Sequence, residues 1–325
     1  PIMRVITAED IARVLSPTVL ADALADAFRG EITVPLRHHH PLPRPGEPDA
    51  MLLLMPAWTG SGLQPFVGTK IVTVHPGNAN RNLPAVYGSY VLADGATGRP
   101  LAVMDGTTLT VWRTAAASAL AARYLANPKA HSLVQVGAGA LAPHLIRAHC
   151  AARPIRRVTI WNRSRDRAEQ LAEGLDGTLP GVTIPIATDL ETAVRNADIV
   201  SCATIATNPV VSGNWLKPGA HLDLVGGYTP AMRETDDAAV VRARLFVDTR
   251  TGGLKEAGDI VDPIKRGVIR ESDVLADLYD LTRGKHPGRQ SADEITLFKS
   301  VGTAVEDLAA AMLVWQALET EQLDG

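Results

Sequence analysis

The sequence predicts an α/β protein: a doubly wound parallel sheet joined to a second, α+β domain. Three observations carry this. From Ser132 onward, short apolar runs alternate with helical segments, the pattern of parallel strands linked by crossover helices. Between Ile32 and Met104, strand-like runs follow one another without helices, the antiparallel pattern. An alanine-rich helix from Thr107 to Ala126 lies between these regions, and 325 residues suffice for about two cores.

The elements follow in order. From Thr7 to Arg29 the residues Ile11, Val14, Leu15, Leu20, Leu24 and Phe28 fall at helical spacing. Thr7 and Asp10 are placed as an N-cap and its reciprocal partner, and Pro17 divides the segment into two helices. Ile32 to Leu36, Met51 to Met55, Phe66 to Val74 and Val86 to Leu92 read as strands. Asp94-Gly95, between Tyr90-Val91-Leu92 and Leu101-Ala102-Val103-Met104, predicts a hairpin. The alanine-rich helix ends before Asn127-Pro128, since a residue preceding proline is pushed out of the helical region. Strands are then expected at Ser132 to Val136, Val158 to Trp161, Val182 to Ala187, Ile199 to Ala203, His221 to Val225 and Leu245 to Val247. Helices are expected at Pro143 to Ala151, Arg165 to Leu175 and Leu190 to Asn196. A last helix, Ala304 to Leu318, is expected to return to the first domain. The expected domains are thus 1–126, completed by 304–325, and 127–303.

Composition narrows the function. The 32 basic and 35 acidic residues give a net charge of −3, with no Lys/Arg cluster of the kind a nucleic-acid backbone requires. No apolar run approaches the roughly 18 residues of a membrane span, and Pro1 to Arg29 lacks a basic start followed by an apolar stretch. Two cysteines, Cys150 and Cys202, argue against a disulfide framework and a cysteine-based zinc site. A cytoplasmic protein acting on a small molecule is expected. His38-His39-His40 does not read as a metal site, because consecutive residues of an extended segment point to alternate faces.

Directly after the strand Leu133-Val134-Gln135-Val136 comes Gly137-Ala138-Gly139-Ala140-Leu141-Ala142, a G-x-G-x-x-A turn opening onto a helix. The first glycine permits the tight turn, the second lets backbone approach a pyrophosphate, and the small Ala142 lets helix and strand pack closely. This is the Rossmann dinucleotide fingerprint in its proper place. At the end of the next strand, where an NAD site places an acid, the chain has Asn162-Arg163-Ser164. Arg163 can pair with a 2′-phosphate while Asn162 and Ser164 donate hydrogen bonds, which favours NADPH over NADH. Thr114, Thr204, Gly226 and Gly302 complete the expected cofactor set.

Two buried-looking cations ask for an anion. Lys70 interrupts the apolar strand of Gly68-Thr69-Lys70-Ile71-Val72-Thr73-Val74-His75-Pro76-Gly77-Asn78, and Arg113 lies early in an alanine-rich helix, where the helix dipole does not favour it. With Gly226-Gly227-Tyr228-Thr229-Pro230 and Leu254-Lys255-Glu256-Ala257-Gly258-Asp259, these stretches resemble the ornithine cyclodeaminase/mu-crystallin family. Its members carry a K-x-V-x-x-x-P-x-N strand and turn, an R-T-A-A helix and a G-x-G-x-x-A/S turn in this order. The resemblance spans most of the chain, and several motifs in order are far more specific than any one.

The resemblance implies a homodimer whose N-terminal domain supplies the interface and substrate pocket, with the nicotinamide entering from the Rossmann domain. It implies that Arg37, Lys70 and Arg113 clamp the substrate carboxylate, with His75, Tyr228, Thr229 and Glu256 around the pocket. Where cyclodeaminases carry an aspartate after the glycine pair, this chain has Tyr228, and a phenol is a poor general base at neutral pH. The stretch Gly226 to Glu234 looks more like the bacterial reductases of cyclic ketimines, which convert Δ1-pyrroline-2-carboxylate and Δ1-piperideine-2-carboxylate to L-proline and L-pipecolate. A protonated cyclic imine is already an electrophile, so a carboxylate clamp and a hydride donor suffice. The alternatives are an ornithine or lysine cyclodeaminase, an alanine-dehydrogenase-like enzyme, and a non-catalytic NADPH-dependent binding protein.

Overall fold

The computed structural model describes residues 3–324. The chain forms two compact units: one runs up to Arg113 and resumes at Thr303, and the other is Thr114–Gly302. The division falls inside the helix Gly106–Leu125 rather than after Ala126. The partners of that helix explain this: Arg113 binds acids of the first unit, whereas Ser118 donates to Asp223 of the second at 3.0 Å.

The first unit is a seven-stranded sheet. Its main path runs Arg4–Ile6, Pro100–Asp105, Val86–Asp94, Phe66–Val74, Ala50–Thr59 and Ile32–Thr33, and His38–Leu42 also pairs with Ala50–Thr59. All neighbours are antiparallel except Arg4–Ile6, which runs parallel to Pro100–Asp105. The expected strand Ile32 to Leu36 stops at Thr33, because Pro35 cannot donate to a ladder. His38–Leu42, which carries no strand signal, is recruited by a hairpin closed where the Arg44 N–H donates to Asp49 and Gly46 turns at φ +81. His38 and His40 share a face there. Among the described residues no group of three or more metal-binding side chains exists.

Ala8–Val14 starts at a capping box made by Thr7 and Asp10, and Pro17–Arg29 starts at Ser16 with proline in its first turn. Leu20, Leu24 and Phe28, spaced four apart, are fully buried against the helix Ala304–Asp324 and their neighbours. Truncating Phe28 to alanine would cost about 3–5 kcal/mol. Ala304–Asp324 also packs on Ala50–Thr59 and Phe66–Val74.

The second unit is a seven-stranded, all-parallel sheet in the order Val274–Asp277, Arg244–Val247, Thr296–Lys299, His221–Leu224, Ile199–Cys202, Ser132–Val136, Arg157–Trp161. The sheet is doubly wound, as expected, and its strands read as apolar runs because both faces are covered. The expected strand Val182 to Ala187 survives only as bridges Arg157↔Thr183 and Ile160↔Ile186, since Pro185 interrupts the donors. At the sheet's centre the buried Asp223 accepts from Ser201 at 2.9 Å and lies 2.9 Å from His149 Nε2. Among the described residues no helix is long and apolar enough to cross a membrane.

Candidate active site

The strand Ser132–Val136 delivers the chain into Gly137 at φ +101, where a Cβ would stand 2.5 Å from the Ala203 carbonyl oxygen. Only glycine fits. A Cβ on Gly139 would meet nothing within 4 Å, so the backbone there is open to a ligand. Leu141 begins the helix Ala142–Ala152 without a side-chain cap, which leaves amides of its first turn for an anion. Ala142 is fully buried against the strand, as the fingerprint requires. These features fit a dinucleotide. Asn162 joins this turn to the next loop: its Oδ1 accepts from the Ala138 N–H at 3.2 Å, and its Nδ2 donates to the Ser164 carbonyl at 2.9 Å. Both its polar groups are therefore occupied within the chain. Arg165 is held by Glu169 at 2.8 Å, while Arg163 is exposed and makes no ion pair among the described residues.

Three buried carboxylates organise the other loops at the carboxyl edge of this sheet. Glu234 accepts the Thr204 N–H at 2.7 Å, the Thr204 hydroxyl at 2.8 Å and the Gly226 N–H at 2.8 Å. Its own N–H and that of Thr235 donate to Asp259 at 2.8 and 3.0 Å. Asp248 accepts from Val301 and Gly302 at 2.9 and 2.8 Å, and Gly302 sits at φ +86. Burial pushes the carboxyls of Glu234 and Asp248 up, partly offset by the buried Lys299 ammonium. Sequence spacing carries no signal for Glu234 or Asp248. Arg250 meets Asp280 at 3.4 Å and the carbonyls of Val274 and Leu275. Tyr228 is 54% exposed and Thr229 half-buried, with the Thr229 carbonyl accepting from Met232 and Gly258. Glu256 is half-buried, and its N–H donates to Gly252.

In the first unit, register aligns Met55, Lys70, Tyr90 and Met104 across four strands, all buried. Lys70 thus enters an apolar row as its one cation. Its Nζ donates to Asp307 Oδ1 at 2.9 Å and to Thr110 Oγ1 at 3.4 Å. Arg113 reaches the same carboxylate oxygen through Nε at 2.8 Å and Glu306 through one Nη at 2.9 Å. Glu306 and Asp307 are 0% exposed, so two cations and two carboxylates share a dry site, where isolated charges would be prohibitively costly. Burial, then Arg113 and more weakly Arg37, pushes Lys70 down to about 8 against the pull of Asp307. Burial alone would raise Asp307, but Arg113 and Lys70 hold it below the usual carboxylate range. Arg37 is half-buried. His75 is fixed through its backbone, donating to Ala85 and accepting from Asn78.

A profile of the ornithine cyclodeaminase/mu-crystallin family matches residues 4–322. The chain belongs to this family. It is 43% identical to a Δ1-pyrroline-2-carboxylate reductase of Paracoccus denitrificans, over 86% of this chain and 89% of that protein. It is 36% identical to the ketimine reductase mu-crystallin of Rattus norvegicus, over 81% and 79%. The structure of Thermococcus litoralis Δ1-pyrroline-2-carboxylate reductase in complex with NADH and L-proline is similar at a TM-score of 0.91, with 33% identity over 98% of both chains. In this member of the family the singled-out residues divide between the units. Arg37, Lys70, His75 and Arg113 lie in the first, and Thr114, Gly137 to Ala142, Asn162 to Ser164, Thr204, Gly226, Tyr228, Thr229, Glu256 and Gly302 in the second.

Proposed function

We propose that this protein is an NADPH-dependent reductase of cyclic ketimines, forming L-proline from Δ1-pyrroline-2-carboxylate and L-pipecolate from Δ1-piperideine-2-carboxylate. The observation that carries it is the buried pair Lys70 and Arg113, two cations on separate elements held by carboxylates. The substrates of the Paracoccus and Thermococcus relatives, by their names, carry the carboxylate such a pair would bind. The cofactor supplies the hydride when bound. Lys70, Arg113 and Arg37 bind the substrate carboxylate through charge-assisted hydrogen bonds and fix the imine carbon in position. Tyr228 and Thr229 form pocket wall or hydrogen-bond partners for the ring nitrogen. The proton on that nitrogen arrives with the iminium, so no strong base is needed, consistent with Tyr228 in place of an acid.

Gly137 to Ala142 would hold the pyrophosphate, with Thr114, Thr204, Gly226 and Gly302 lining the rest of the cofactor. The exposed, unpaired Arg163 supports NADPH over NADH, with Ser164 rather than the occupied Asn162 beside it. A homodimer is supported by the outward face of the first sheet, where Trp58 and its register partner Val67 are each 38% exposed. Two free thiols, Cys150 and Cys202, accord with a cytoplasmic setting.

The test is NADPH oxidation by purified protein with each ketimine, followed by absorbance, with NADH in parallel. Rapid oxidation favouring NADPH and formation of L-proline or L-pipecolate is the expected result. Ammonia release from ornithine or lysine with no net redox change would instead make it a cyclodeaminase.

A further inference from the structure

We propose that Asp307 is the positioning residue of the carboxylate anchor: it locks Lys70 and Arg113 in one fixed relation and turns their remaining donors toward the substrate. This rests on the reading that these two cations bind the substrate carboxylate. The supporting geometry is one carboxylate: Asp307 Oδ1 accepts from Lys70 at 2.9 Å and from Arg113 Nε at 2.8 Å, and Oδ2 also lies 2.9 Å from the Lys70 ammonium. The two cations come from a strand and a helix, otherwise joined through these side chains by the longer 3.4 Å contact from Lys70 to Thr110. Without the shared oxygen, two like charges would repel across a dry site.

Donor counting shows what is left over. An ammonium has three N–H bonds; Asp307 and Thr110 take two, leaving one. The Thr110 hydroxyl spends its own hydrogen on the Gly106 carbonyl at 2.7 Å, so its oxygen is oriented to accept from Lys70. A guanidinium has five N–H bonds; Asp307 and Glu306 take two, leaving three. Among the described residues neither cation has a further partner. The carboxylates therefore neutralise the pair from one side without exhausting it, and four charge-assisted donors stay available to a second, incoming carboxylate.

The carrier of Asp307 is rigid. Glu306 and Asp307 lie in the first turn of Ala304–Asp324, where the helix dipole favours acids, and that helix packs on the strand bearing Lys70. Of the two cations, Glu306 binds Arg113, whereas Asp307 binds both. This difference separates their expected effects.

The experiment compares Asp307→Asn, Asp307→Glu and Glu306→Gln with the parent protein in steady-state ketimine reduction across pH. NADPH binding is measured by fluorescence, and folding by circular dichroism. Asp307→Asn is expected to raise the ketimine KM about tenfold or more, with NADPH binding unchanged. Its basic limb in kcat/KM should move about one unit lower, because Lys70 loses its counter-charge. Asp307→Glu keeps the charge and should restore the limb, while Glu306→Gln should raise KM without moving it. A folded Asp307→Asn protein with the parent KM and pH profile would overturn the proposal, as would equal shifts in Asp307→Asn and Glu306→Gln. Should Asp307→Asn not fold, Asp307→Glu decides: its longer side chain displaces the shared oxygen, so a folded Asp307→Glu protein with a raised ketimine KM and unchanged NADPH binding supports the proposal, and one with the parent KM overturns it. A parent protein that reduces no cyclic ketimine refutes the underlying reading before any variant is made.

Discussion

Gly68 lies directly against the phenol of Tyr90: a Cβ on the glycine would stand 2.0 Å from the hydroxyl oxygen and 2.6 Å from the ring carbon bearing it. The hydroxyl is buried without a hydrogen-bond partner, and burial raises its pKa well above the ordinary phenol value. Tyr90 is also the register partner of Lys70, so its ring forms part of the wall beside the ammonium. Gly68→Ala is expected to cost about 3 kcal/mol by overpacking and to reduce ketimine affinity by displacing the Lys70 strand. Tyr90→Phe removes only an unsatisfied hydroxyl and should stabilise by about 1 kcal/mol. Urea unfolding of both variants checks the pair; a destabilised Tyr90→Phe would show that the hydroxyl is satisfied after all.

Lys70 gives a pH signature with two opposite signs. Its folded-state pKa of about 8 lies below the ordinary 10.5, so above pH 8 the folded protein loses a proton that the unfolded chain retains. The Lys70 contribution to stability therefore rises between pH 8 and 10.5, by up to about 3 kcal/mol. Activity runs the other way, because a neutral amine no longer attracts a carboxylate, and kcat/KM should fall through a limb near pH 8. Lys70→Arg, whose charge persists, should shift that limb upward; an unmoved limb would assign it to another group.

Among the described residues Arg163 makes no ion pair, whereas Arg165 is held by Glu169. Arg163→Ala is expected to raise the KM for NADPH by about tenfold or more while changing that for NADH little, and to weaken the salt dependence of NADPH binding. Equal effects on the two cofactors would place the 2′-phosphate elsewhere.

Acid sensitivity should trace to His221. Burial is the main cause that lowers its pKa from 6.5 to about 3, and the ring is held neutral. Thr296 spends its hydroxyl hydrogen on the Leu125 carbonyl, so His221 Nδ1, at 2.9 Å, is the donor between them. The unfolded chain takes up this proton at the ordinary pKa and the folded protein only near 3. Stability present above pH 6.5 is thus lost progressively as pH falls toward 3, by up to about 4 kcal/mol. His221→Gln should flatten the stability profile across this window in chemical denaturation.

Much of the fold was legible because local signals agree with the final packing. Ser132–Val136 and Arg165–Leu175 lie at their expected bounds, and the Thr7 capping box and the Gly137 turn formed where their spacing placed them. Proline accounts for two departures, at Pro35 and Pro185, where apolar runs lose donors. Thr296–Lys299 carries no strand signal of its own, since a four-residue strand gains its stability from two neighbours rather than from its own pattern. The site was half legible. Lys70 and Arg113 stood out because charge is out of place in their local context. Their acids did not, because Glu306 and Asp307 look like ordinary first-turn acids, and their partners lie about two hundred residues away.

The place of Thr296–Lys299 in its sheet sets a timetable for biosynthesis. It pairs with His221–Leu224 on one side and Arg244–Val247 on the other, yet of the seven strands of its sheet it is the last to leave the ribosome. Until then the nascent chain carries two open strand edges with nothing to bridge them. Ala304–Asp324, which covers strands made over two hundred residues earlier, emerges later still. Neither unit can therefore close until these late segments have been made, and the exposed edges in the interval are natural ground for chaperones.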